Sequence, residues 1–255
     1  MRPFIIDFFF FRKGEIMNAF DEYTNKFDMN DNKLSYKYYH SYRVMNNMIV
    51  LAKNLNLSYC DIKLAKCIGL LHDIGRFEQY KRYHSFNDKL LDHGDYGSKI
   101  IKEKSILTKF DIKEKDYEIV YKTIRNHNKY EIEPNLTKRE LLFAKMIRDA
   151  DKIDILYALN NSEIKSIIYE DDSDIRDEIK QQFFNHTLVK RDNKITTNEN
   201  IVVIFSFVYD LNFNLSLDLI KYKQYYEKIY ERLIDKDKFK IYIDYVKQYI
   251  DERID

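Results

Sequence analysis

The residues that carry most chemistry in this chain are His72 and Asp73, set in Leu70-Leu71-His72-Asp73-Ile74-Gly75-Arg76. An imidazole beside a carboxylate at the end of an apolar run has to be paired, hydrogen-bonded or metal-bound. Left unsatisfied there, a charge costs several kcal/mol. Four more residues of metal-ligand type stand at wide intervals around the pair: His40 before it, then His93, His127 and Asp151. The order His…His-Asp…His…His…Asp offers six donors, enough for a two-metal centre.

Donors so far apart in sequence need a scaffold that brings them together, and the hydropathy pattern describes one. Apolar residues at Val44, Met48, Ile49, Leu51, Ala52 and Leu55 recur in steps of three and four, which marks an amphipathic helix over residues 34–57 with His40 on its core side. Ser58 is an N-cap, and residues 61–71 form a second helix that Gly75 would stop, with His72-Asp73 at its C-terminal end. Residues 76–91 read as a loop or short helices. A further helix begins near Asp92 and runs to Lys104, with His93 in its first turn. Another starts at Tyr117 and places His127 at its end.

Pro134 and Thr137 open a long helix over 138–160. Ala144, Ile147, Ala150 and Asp151 share one face of it, so Asp151 is read as the inward carboxylate. Asp149, beside Lys152 and four residues after Lys145, is read as solvated. From Ser162 onward the pattern stays helical, with loops near 171–174 and 191–198, an apolar run over 201–211 and aromatic stripes over 217–233 and 239–250. The division that follows is an N-terminal segment (1–33), a metal-binding unit (34–160) and a C-terminal helical extension (161–255) packed on it.

Composition agrees with a turn-poor helical protein. Among 255 residues there are only five Gly and two Pro, few for a sheet-rich fold. The net charge of +1 shows no basic excess of the kind that nucleic-acid polymers or membrane surfaces require. No apolar run is long enough to span a bilayer. Cys60 and Cys67 lie two helical turns apart, about 10 Å, too far for a disulfide, which suits a reduced, cytoplasmic setting. At the N-terminus, Lys13-Gly14-Glu15 back-translates to a sequence like a bacterial ribosome-binding site just before Met17. Residues 1–16 are therefore read as leader and Met17 as the start.

The ordered set His40, His72-Asp73-Ile74-Gly75-Arg76, Asp92-His93-Gly94-Asp95-Tyr96-Gly97, His127-Asn128 and Asp149-Ala150-Asp151-Lys152 resembles the HD-domain superfamily of metal-dependent phosphohydrolases over roughly residues 36–158. The resemblance implies an all-α HD-domain bundle with the metal site at its centre. It further implies His40, His72, Asp73 and Asp151 on a first ion, His93 and His127 on a second, and Asp73 as the bridge. If His93 only starts a helix, the site is mononuclear, as in HD nucleotidases with four ligands. Mixed imidazole and carboxylate donors suit Mn, Fe, Zn, Ni or Co better than Ca or Mg. Asn126, Asn128, Asp95 and Asp154 are available to orient the imidazoles.

The function that this resemblance implies is hydrolysis of a nucleotide or other small phosphoester or phosphoanhydride by a metal-bound hydroxide. Asp73, Arg76 and Lys152 would be catalytic. Arg76, Arg82, His84 and Lys152, with Lys81 as a further cation, would contact the phosphate. His127-Asn128 replaces the double histidine of cyclic-dinucleotide phosphodiesterases in the superfamily, and their Gly-Tyr-Pro stretch is missing, which argues against that activity. Two other readings stay open: a di-iron oxygenase on the same fold, and a nucleotide-sensing module without turnover. The expected partner is a small phosphorylated molecule, and a homodimer is an open option.

Overall fold

The structure is a computed structural model that describes residues 15–161 and 171–254. No strand occurs among the described residues, and the architecture is all-α. The leader reading of residues 1–16 falls almost wholly outside the described residues, as does the start of the C-terminal extension, 162–170. Among the described residues no helix is long and apolar enough to cross a membrane.

Local signals set most of the helix boundaries. After α1 (Glu15–Thr24), helix α2 (Asn32–Asn54) starts where the Asp31 carboxylate accepts from the backbone amides of Lys33 and Leu34. Its buried stripe includes Leu34, Val44, Met45, Met48, Ile49 and Ala52, and His40 lies on that stripe. Ser58 caps α3 (Tyr59–Leu71) by accepting from the amide of Asp61. Asp92 does the same for α5 (His93–Glu103) through the amide of Asp95. Thr137 and Glu140 form a reciprocal capping box at the start of α7 (Lys138–Asn160). Between α5 and α7 lies α6 (Tyr117–Asn126), with His127 as its C-cap.

The chain differs from expectation at Gly75. Helix α3 ends at Leu71, and Gly75 is the second residue of a new helix, α4 (Ile74–Tyr83), rather than a stop signal. The break falls on His72 and Asp73 themselves, where Asp73 leaves helical geometry (φ −101°, ψ 14°). Gly75 is needed for proximity. A Cβ there would collide with the His93 carbonyl oxygen and stand 2.9 Å from the Gly97 amide nitrogen. The two glycines let α4 and α5 cross at backbone contact, which carries Asp73 to His93.

Two apolar clusters share α7. The first runs from Ala19 through α2–α6 to Ala150, and the second takes in Ile153, Leu156 and Leu159 with residues of the C-terminal helices. Those are α8 (Asp177–Phe184), α9 (Thr197–Phe205), α10 (Asn214–Lys223), α11 (Tyr225–Glu231) and α12 (Lys236–Ile254). Because α7 runs between both clusters it is covered on nearly every side, and this overturns the reading of Asp149 as solvated. Its carboxylate is fully buried. It accepts from the amide and side-chain nitrogens of Asn212, from the Phe213 amide (3.1 Å) and from Ser216 Oγ (2.7 Å). It thus ties the residues leading into α10, and the Ser216 hydroxyl of its first turn, to α7. Burial raises its pKa to about 6 against those hydrogen bonds, which pull it down. Both cysteines are free; Cys67 is buried and Cys60 exposed.

Candidate metal centre

Five places in the fold supply the six ligand-type residues: α2 gives His40, the α3–α4 break gives His72 and Asp73, the start of α5 gives His93, the end of α6 gives His127, and α7 gives Asp151. All six meet. His40 Nε2 lies 3.1 Å from His72 Nε2, 3.4 Å from Asp73 Oδ2 and 3.1 Å from Asp151 Oδ1. On the other side of Asp73, His93 Nε2 lies 3.0 Å from His127 Nε2 and 3.2 Å from Asp73 Oδ1. His127 Nε2 is 3.6 Å from that same oxygen. The two oxygens of Asp73 therefore face two different histidine pairs. Two groups of metal-ligand type share it: His40-His72-Asp73 and Asp73-His93-His127.

Each imidazole presents Nε2 to this cluster because its Nδ1 is held from behind. Nδ1 of His40 meets Asp154 Oδ2 at 2.6 Å, and Nδ1 of His93 meets Asp88 Oδ1 at 2.6 Å. His72 Nδ1 donates to the Gly69 carbonyl at 2.8 Å, and His127 Nδ1 to the Ile124 carbonyl at 2.6 Å. An Nδ1 that donates leaves a lone pair on Nε2, the form that a metal ligand needs. The donor chemistry therefore fits one or two divalent ions. The holders are held in turn: Arg43 donates to Asp154 from Nε (2.7 Å), and Arg76 and Gln79 donate to Asp88.

Electrostatics separate three of the rings. Burial pushes His72 down to about 3, and burial also lowers His127. His40 is equally buried and has the Lys37 ammonium nearby, both of which push it down. Hydrogen bonds to Asp151, Asp154 and Asp73 outweigh them and leave it raised to about 10. Asp73 stays well below the usual carboxylate range. The Lys37 ammonium and the surrounding imidazoles overcome a burial that alone would raise it.

Sequence reasoning identified every residue of the cluster but only part of its surroundings. Asp154 orients His40 as expected, and Asn128 lies 3.3 Å from His93 Nδ1. Asn126 instead bonds to the Lys122 carbonyl and the Glu133 amide, and Asp95 pairs with Lys129. Asp88 and Lys37 were missed. Asp88 sits in the polar stretch that reads as loop, where nothing marks one carboxylate above another. Lys37, whose Nζ is 2.6 Å from Asp73 Oδ2, could have been found, because it precedes His40 by one turn on the same helix.

The cluster opens into a cavity of about 380 Å³, lined by Lys37, Arg76, Asp151 and Lys152 among others. Most of the Arg76 guanidinium is already engaged, with Nη1 donating to Gln79 Oε1, the Phe86 carbonyl and Asp88. Its Nε, 3.7 Å from Asp73 Oδ1, is buried without an acceptor. Lys152 reaches the cavity wall and pairs with Asp210 at 2.5 Å. Arg82 and His84 are not brought to the site. Arg82 packs over the Tyr96 ring, and His84 is an exposed left-handed C-cap of α4 (φ 47°), a backbone role. Lys81 lies exposed over Phe27.

The model of the HD domain family matches residues 38–156, a span that contains all six ligand-type residues. No curated protein and no solved structure matches the chain. HD domains bind divalent metals, and most members of the superfamily are metal-dependent phosphohydrolases. Residues 38–156, which bring the His-Asp cluster together, are thus an HD domain.

Proposed function

We propose that this protein is a metal-dependent phosphohydrolase that cleaves a nucleotide-sized or other small phosphoester or phosphoanhydride. The observation that carries the reading is the division of Asp73 between two histidine pairs at the floor of a cation-lined cavity. His40, His72 and Asp151 with Asp73 Oδ2 would hold one ion, and His93 and His127 with Asp73 Oδ1 a second. Such ions, Mn, Fe, Zn, Ni or Co by donor type, supply Lewis-acid activation of water and of a phosphoryl group.

The chain's own residues then do the positioning. Lys37 and Lys152 present ammonium groups to the cavity and would take phosphoryl oxygens. The buried Arg76 Nε would donate a further hydrogen bond beside Asp73, while its Nη1 keeps Asp88, and through it His93, in place. Ile155, Val203 and Phe207 add apolar surface to the same cavity and would help to exclude water from it.

The test is phosphate release from a panel of nucleotides and simple phosphoesters, with protein stripped of metal and reloaded with each of the five ions. Turnover by the wild type, lost together with metal retention in Asp73→Ala, is the expected result. Full turnover in that variant overturns the site. Oxygen consumption by an iron-loaded protein that releases no phosphate would replace the hydrolase with an oxygenase.

A further inference from the structure

Part of the cavity lining comes from outside the HD domain. Leu188, Val189, Lys190 and Arg191, on the stretch between α8 and α9, line it together with Val203 of α9. Most cations around the cavity are already engaged. Lys37 pairs with Asp73, Arg76 with Asp88, Lys129 with Asp92 and Asp95, and Arg148 and Lys152 both pair with Asp210. Lys190 lies over the Tyr130 ring at 5.5 Å. Arg191 differs: among the described residues it has no carboxylate partner and no hydrogen bond.

Arg191 is solvent-accessible, yet its guanidinium sits in a concavity where desolvation pulls its pKa below the ordinary arginine value. A guanidinium that lines a cavity with no counter-charge is available to an anion there. The planar guanidinium fork matches a phosphate or carboxylate in two-point contact. The lining also includes apolar Ile155, Val203 and Phe207, which would pack on carbon rather than on charge.

We infer that Arg191 is a specificity-determining residue that binds a second anionic group, phosphate or carboxylate, at the far end of the substrate. The substrate class is then an organic phosphate with two anionic ends and an apolar body between them. This inference rests on the phosphohydrolase reading for the near end only.

Calorimetric titration of the manganese-loaded protein tests it. The probes are alkanediol bisphosphates and ω-phosphoalkanoates of increasing length, against alkyl monophosphates of the same chain. The wild type should bind a two-ended probe of matching length at least about tenfold more tightly than its monophosphate, as a charge-assisted contact predicts. Whether the bisphosphates or the phosphoalkanoates gain more identifies the second anion. Arg191→Gln should abolish the advantage while keeping metal content and monophosphate affinity, and Arg191→Lys should restore part of it.

Lack of any two-ended preference in the wild type, its survival in Arg191→Gln, or equal weakening of both probe types would each overturn the assignment. Binding needs no turnover, so the two ideas fail separately. An Arg191-dependent preference without phosphate release from any substrate sinks the hydrolase alone, and turnover without such a preference sinks only the role of Arg191.

Discussion

Removing the carboxylate behind one histidine should weaken one half of the centre and spare the other. Asp88→Ala deletes the acceptor 2.6 Å from His93 Nδ1, and Asp154→Ala deletes the acceptor at the same distance from His40 Nδ1. Loss of such a partner costs about ten- to hundredfold in metal affinity, or about 1.4–2.8 kcal/mol. The two positions should fall at opposite ends of that range. The side chain of Asp88 is 40% exposed, so water can replace it as acceptor, and the expected loss is about tenfold. That of Asp154 is 2% exposed and also neutralises Arg43, so about a hundredfold loss is expected, with reduced folding stability.

The assay is titration of chelator-treated protein with Mn or Co, resolving the two binding steps by calorimetry and their stoichiometry by metal analysis. Asp88→Ala should weaken only the step belonging to His93 and His127, and Asp154→Ala only the step belonging to His40, His72 and Asp151. If both variants weaken the same step, or neither weakens any, then the division of the centre by Asp73 is wrong.

Three more outcomes follow from particular contacts. Gly75→Ala should gain helix propensity but lose more to the collision with the His93 carbonyl, a net cost of about 2 kcal/mol, seen as a Tm lower by roughly 4–8 °C in thermal circular dichroism. Asp149→Ala leaves the Asn212 and Phe213 amides without their acceptor and should cost about 2–4 kcal/mol in urea unfolding; an unchanged midpoint refutes the clamp between α7 and α10. With the pKa of His40 raised to about 10, a metal ion must displace its proton at neutral pH. Metal affinity should therefore rise with pH from 6 towards 9, with proton release measurable in weak buffer, and a pH-independent affinity would contradict this.

Much of the site was legible before any coordinates. The caps Ser58 and Thr137, the start of α5 at His93 and the end of α6 at His127 are local events, set by side chains within one turn of the backbone groups they satisfy. Periodicity likewise put His40 on a buried face and Asp151 on the face that reaches it, because a helix turns its apolar stripe to the core. The same rule failed at Asp149 for a physical reason. It assumes that the face opposite the core meets water, and α7 has protein on that face as well.

The chain by itself thus determined the six ligand-type residues, the helices that bear them and the all-α class, since residue chemistry and spacings of three and four are written locally. Only tertiary structure decided which Asp73 oxygen meets which histidines, which carboxylate stands behind each ring, and where the Arg76 guanidinium turns. It also decided that residues 188–191 close the cavity from far along the chain. Those outcomes depend on the register of segments separated by tens of residues. That register is set by shape, such as the close crossing at Gly75 and Gly97, which no single helix carries in its own pattern.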